Sequence, residues 1–155
     1  MTKLLLILHV LAAVIAVGPV TVAASMFPPA LRRAHRDPAD PDALTTLRLL
    51  HRICRVYAAL GIAVPLFGFA TASSLGVLGS AWLIVSIVLT AAAAALLALL
   101  ILPAQDSALT AAGAPGAGTV TRAPGRLAML TGLFNLLWAT VTILMIIRPG
   151  STTGA

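Results

Sequence analysis

The sequence predicts an all-α fold: an integral membrane four-helix bundle, up-down-up-down, with both termini outside. Three observations predict it: the composition, four long apolar runs, and a one-sided distribution of arginine. Of the 155 residues 60% are hydrophobic and only 9% charged, with a mean hydropathy of +1.06. Soluble domains carry about 25% charged residues. A chain this short leaves much of its surface exposed and could not hide so much apolar area from water.

The first apolar run is Leu4 to Ser25, broken only by His9, Gly18 and Pro19. As a helix it covers roughly 33 Å, enough for a hydrocarbon layer of about 30 Å. Lys3 before it and Val22-Ala23-Ala24 near its end resemble a signal peptide with a cleavage site. The run is longer than an ordinary signal core, and the arginines beyond it oppose translocation, so an uncleaved span is expected. The charged stretch from residue 27 to 55 is expected as a first cytoplasmic loop. Within it, Asp40 and Pro41 have the residue types of a helix N-cap and first turn. The helix they open is expected to run into the second span, over residues 56–74, with a kink at Pro65.

A third span is expected over residues 81–102, hinged to the second by Ser73-Ser74-Leu75-Gly76-Val77-Leu78-Gly79-Ser80. The Gly-, Ala- and Pro-rich segment 103–126 is expected to be a second cytoplasmic loop. The fourth span, 127–147, stops at Arg148-Pro149-Gly150. The whole chain, 1–155, then forms one membrane domain.

Direction follows from the basic residues, because loops rich in Lys and Arg stay in the cytoplasm. Arg32, Arg33, Arg36, Arg48, Arg52 and Arg55 fall in the first connection, and Arg122 and Arg126 in the third. Only Lys3 and Arg148 fall on the other side. Arg32, Arg33, Arg36, Arg48, Arg52 and Arg55 are expected to meet anionic headgroups. No aromatic residues alternate with them as base-stacking nucleic-acid binders require. Nine arginines to one lysine match the usage of a GC-rich bacterial genome, so the bacterial inner membrane is the expected location.

Helix contacts in lipid are marked by small and weakly polar residues. Thr131, Asn135, Trp138 and Thr142 share one face of the fourth span. Ser86 and Thr90 are one turn apart in the third, and the second carries Gly61, Pro65 and Gly68. Thr131, Asn135 and Thr90 are expected as interhelical polar contacts, since an unpaired amide at mid-membrane is costly.

His9 is the sole ionisable residue well inside a span, and such residues are functional candidates. It lies about 9 Å below Lys3 along a helix, at the depth of Ser86, Trp138 and Thr142. These four could line an outer polar pocket; the alternative is a neutral histidine donating to a backbone carbonyl, or one snorkelling to the interface. His51 and Cys54 lie on one turn and could touch one metal, but two ligands are too few for a stable site. His9 and His51 are roughly a bilayer apart and cannot share a haem within one copy. Cys54 is the only cysteine, so no internal disulfide can form. Asp37, Asp40, Asp42 and Asp106 are all expected in loops, and no P-loop, dinucleotide, HExxH or Gly-x-Ser-x-Gly signature occurs.

The order Leu8-His9-Val10-Leu11-Ala12-Ala13, Gly18-Pro19, Leu49-Leu50-His51-Arg52, Thr131-Gly132-Leu133-Phe134-Asn135-Leu136-Leu137-Trp138 and Arg148-Pro149 resembles a family of bacterial integral membrane proteins of unassigned activity. That family is domain of unknown function 2269, itself distantly similar to copper-resistance and haem-pathway membrane proteins with a first-span histidine. The resemblance implies His9 as a haem or copper ligand. The residues themselves favour a non-enzymatic accessory subunit or small-ligand binder. A homo-oligomeric channel or transporter, or a place in a larger membrane complex, is the further alternative.

Overall fold

The computed structural model describes residues 1–38, 40–114 and 123–150, and all of its regular structure is helical. The elements are α1 (Thr2–Arg36), α2 (Pro41–Leu60), α3 (Ala63–Leu75), α4 (Ala81–Ala95), a π-helical turn (Leu96–Ile101), α5 (Leu102–Ala112) and α6 (Ala123–Ile147). α2 with α3, and α4 with the π turn and α5, each make one long interrupted helix. Four helices are therefore long and apolar enough to cross a membrane.

α1 does not stop where its charges begin. Residues 27–36, expected in a loop, continue the helix because Phe27, Pro28 and Leu31 are buried in the bundle. Arg33, His35 and Arg36 occupy its last turn, where positive charge opposes the exposed carbonyl dipoles. α1 ends at Arg36 and α2 starts at Pro41. Asp40 then caps α2 by accepting a hydrogen bond from the Asp42 N–H at 3.0 Å, with Pro41 in the first turn.

Pro65 interrupts the second long helix upstream of itself. Proline cannot donate to the carbonyl four residues back, which is that of Gly61. The Val64 N–H takes this carbonyl instead at 3.1 Å, and the helix breaks at Gly61–Ile62. Gly76 ends α3 in the left-handed conformation, with φ 69°, which glycine adopts without steric cost.

The segment 103–112 is helix rather than loop, and Asp106 accordingly lies on α5. Alanine, which makes it look featureless, is the best helix former. The π turn precedes Pro103 and sets the phase. Ala93, Leu97, Ile101 and Gln105 are all buried at intervals of four. In a pure α-helix each such step drifts by roughly 40°; one wider turn keeps the stripe facing inward. α6 begins at Ala123, before the expected start at 127, and buries Pro124, Leu127, Leu130, Thr131, Phe134 and Val141.

The interior has three parts. At the arginine-rich end, Ala23, Ala24, Phe27 and Leu31 of α1 meet Leu47, Leu50 and Cys54 of α2, Ala108 of α5 and Leu127 of α6. In the middle, Val20 meets Ala93, Leu96, Leu97 and Ile101 with Leu130 and Phe134. At the opposite end the buried cluster is Ala72, Trp82 and Leu83. The outside of the bundle is apolar, with Leu4, Ile7, Val14, Leu66, Val88, Leu99, Leu136 and Ile146 exposed.

Candidate functional site

His9 leans from α1 onto α3. Its Nδ1 lies 2.9 Å from the Val64 carbonyl, and the ring fills the space left by the missing side chain of Gly68. A Cβ at Gly68 would stand 3.0 Å from the imidazole Cε1. Because Val64 offers only an acceptor, Nδ1 carries the proton.

The outer pocket expected around His9 is not assembled. Ser86 is fully buried, but its hydroxyl returns to the Trp82 carbonyl on its own helix at 2.8 Å. Thr142 is exposed and bonds to the Trp138 carbonyl at 2.9 Å. Trp138 is half-buried against the middle cluster. Serine and threonine in helices readily bond the carbonyl one turn back, which consumes the hydroxyls such a pocket needs. Thr90 is half-buried and makes no interhelical hydrogen bond among the described residues.

One imidazole supplies a copper ion with one donor. Among the described residues no three His, Cys, Asp or Glu side chains gather to hold a metal. Two crevices lie at the arginine-rich end, starting about 24 Å along α1 from His9. His9 thus stands apart from both crevices and from any group of three such donors among the described residues.

His51 and Cys54 do share a face of α2, and both are buried. Gln105 of α5, fully buried, fills the place between them: its Oε1 is 3.1 Å from His51 Nδ1, and its Nε2 donates to Cys54 Sγ at 3.7 Å. His51 Nε2 lies 3.8 Å from an Asp106 carboxylate oxygen. A metal pair is thus replaced by an amide clamp joining α2 to α5. Gln105 and Asp106 escape sequence reasoning once 103–126 is taken as loop. The signal that could have found Gln105 is its place in the stripe Ala93, Leu97, Ile101 and Ala108.

The third polar group lies between α1 and α6. Asn135 Nδ2 donates to Ser25 Oγ at 3.2 Å, so the expected interhelical contact of Asn135 is present. Asn135 Oδ1 and Thr131 Oγ1 are nevertheless buried without a hydrogen-bond partner. Both residues line a crevice of about 190 Å³ with Ser25, Pro28, Pro29, Arg32, Ala128 and Gly132. Pro28 and Pro29 add to its polarity, since neither can donate to the carbonyls of Ala24 and Ser25. A larger crevice, about 320 Å³, lies between α1 and the start of α2, where Arg33 Nε pairs with Asp40 at 3.4 Å.

The arginines surround this end. Arg32, Arg33, Arg36, Arg48, Arg52 and Arg55 are all exposed. On α2 the last three share an exposed face beside that of Leu47, Leu50 and Cys54, which with His51 are buried.

Among the described residues, fold and site together define an all-helical bundle of four apolar helices with a crevice between α1 and α6 in which Thr131 Oγ1 and Asn135 Oδ1 are left without hydrogen-bond partners. Comparison with protein-family models, curated proteins and solved structures found no match.

Proposed function

We propose that this chain is a non-catalytic, multi-pass protein of the bacterial inner membrane that binds a small amphipathic ligand in the crevice between α1 and α6, alone or as an accessory subunit. One observation carries the reading: Thr131 and Asn135 line the crevice, and Thr131 Oγ1 and Asn135 Oδ1 are buried without a hydrogen-bond partner. Leaving such groups unpaired costs about 1–3 kcal/mol each, and a ligand that pairs them recovers that cost. The crevice holds no nucleophile–base pair and no carboxylate, which favours binding over turnover. The arginine count favours this end as cytoplasmic, with both termini outside. The resemblance to domain of unknown function 2269 rests on the short stretches around His9, His51, Asn135 and Arg148, and agrees with this reading in implying no known reaction.

Native mass spectrometry of protein extracted from its own membrane tests the proposal. A bound small molecule is expected on the wild type and is lost in Thr131→Val/Asn135→Leu. If the wild type carries nothing and the double variant is the more stable protein, the polar pair is structural and the reading fails.

A further inference from the structure

We infer that the ligand of the α1–α6 crevice is an anionic glycerophospholipid, its phosphate on Arg32 and its ester carbonyls on Thr131 and Asn135; this rests on the binding reading above.

Size comes first. Sites that enclose a whole small molecule occupy about 300–1,000 Å³, whereas this crevice holds about 190 Å³. It can take only the middle of an amphiphile, with the remainder outside. The exposed apolar surface of α1 and α6, including Val22, Met26, Met129, Leu133 and Leu136, borders it and suits acyl chains.

Polarity is graded along the crevice. Arg32 is exposed at one end and, among the described residues, has no carboxylate partner. No acidic residue lines the crevice. Thr131 is 3% exposed. Asn135 lies one helical turn beyond it, about 6 Å further from Arg32's end. A guanidinium above and hydrogen-bonding groups below match the order of a phospholipid, in which the phosphate stands above the ester carbonyls.

Donor chemistry agrees. The Thr131 hydroxyl can donate. The Asn135 amide and the Ser25 hydroxyl can exchange roles, since an amide O and N are interchangeable by a flip. With Ser25 donating to Asn135 Oδ1, the amide NH₂ takes the unpartnered position. The wall then offers two donors, and ester carbonyls are acceptors.

Arg32 differs from the arginines of α2. Arg48, Arg52 and Arg55 form an exposed row and line neither crevice, fit for diffuse attraction to a charged surface. Arg32 stands over a built site.

The test titrates delipidated full-length protein in neutral detergent with phosphatidylglycerol, phosphatidylcholine or glycerol phosphate, read by native mass spectrometry. Phosphatidylglycerol is expected to give a one-to-one adduct, roughly tenfold tighter than phosphatidylcholine, whose phosphate carries the same charge but whose choline cation offsets it and repels Arg32. Arg32→Gln removes that preference. Thr131→Val weakens both lipids and Thr131→Ser restores them. The triple variant Arg48→Gln/Arg52→Gln/Arg55→Gln leaves the adduct intact. Glycerol phosphate alone is expected not to bind; binding as tight as the lipid's would mean a headgroup site and overturn the lipid assignment. If both lipids bind equally and Arg32→Gln changes nothing while Thr131→Val still weakens binding, the anionic class is wrong and the binding reading stands. If no ligand gives an adduct and Thr131→Val is without effect, both fall.

Discussion

The two ends of the bundle are built differently. At the arginine-rich end, residues from α1, α2, α5 and α6 bury one another, with Phe27, Leu31, Leu47 and Cys54 wholly enclosed. At the opposite end the buried cluster is three residues, and α1 has no buried residue before Ala16. There Leu4, Ile7, Leu11 and Val14 are exposed, and His9 ties α1 to α3 through one hydrogen bond. In water such an end would come apart. In lipid, apolar exposure costs little, because tails are as apolar as leucine and helices associate by packing and polar contacts. The difference teaches that stability is concentrated at one end while the other is free to be lipid-facing. Both ends also use a histidine, in opposite ways: His51 is locked by a side chain within a packed layer, His9 by a backbone carbonyl at an open one.

The sharpest way to break this comparison is a cavity at each end. Phe27→Ala should lower unfolding free energy by about 2–4 kcal/mol, mainly through lost packing. Leu11→Ala, at a side chain 50% exposed, should change it by less than about 0.5 kcal/mol. Unfolding in mixed micelles measures both, and equal losses would refute the contrast.

A smaller effect is expected at the amide clamp. Gln105→Leu keeps the bulk but strands His51 Nδ1 in a buried layer, costing about 1–3 kcal/mol. His51→Leu on top of it should restore much of that loss, because apolar groups of similar shape replace both partners. An additive double variant would show that the two side chains do not depend on each other.

The asymmetry was only partly legible. Four apolar runs, the N-cap of α2 and the hinge at Gly76 can be read directly, since hydropathy and special residues act locally. Helix ends could not. Charge at Arg32 marks where an apolar run stops, while burial of Phe27 and Leu31 decides where the helix stops. Ala-rich 103–112 reads as loop beside its prolines and glycines, yet α2 gives it a surface to pack on. For the polar residues, position along the helix gives depth but not the partner. Hence Ser86 and Thr142, expected at the depth of His9, bond within their own helices instead, and the crevice beside Asn135 depends on the separation of α1 from α6.

The smallest expected effect isolates the open end. Gly68→Ala places a methyl where the imidazole lies, 3.0 Å from Cε1. Helix propensity alone favours alanine over glycine by about 1 kcal/mol. Displacing His9 from the Val64 carbonyl opposes this by roughly 0.5–1.5 kcal/mol, the ordinary worth of a hydrogen bond. The single variant should therefore be near neutral, which by itself decides nothing. In a His9→Ala background the clash is gone and the propensity gain remains, so Gly68→Ala should stabilise by about 0.5–1 kcal/mol. The coupling between the two substitutions is the measurable quantity. A coupling near zero would mean that the imidazole does not occupy the Gly68 niche, and that α1 is untied from α3 at this end.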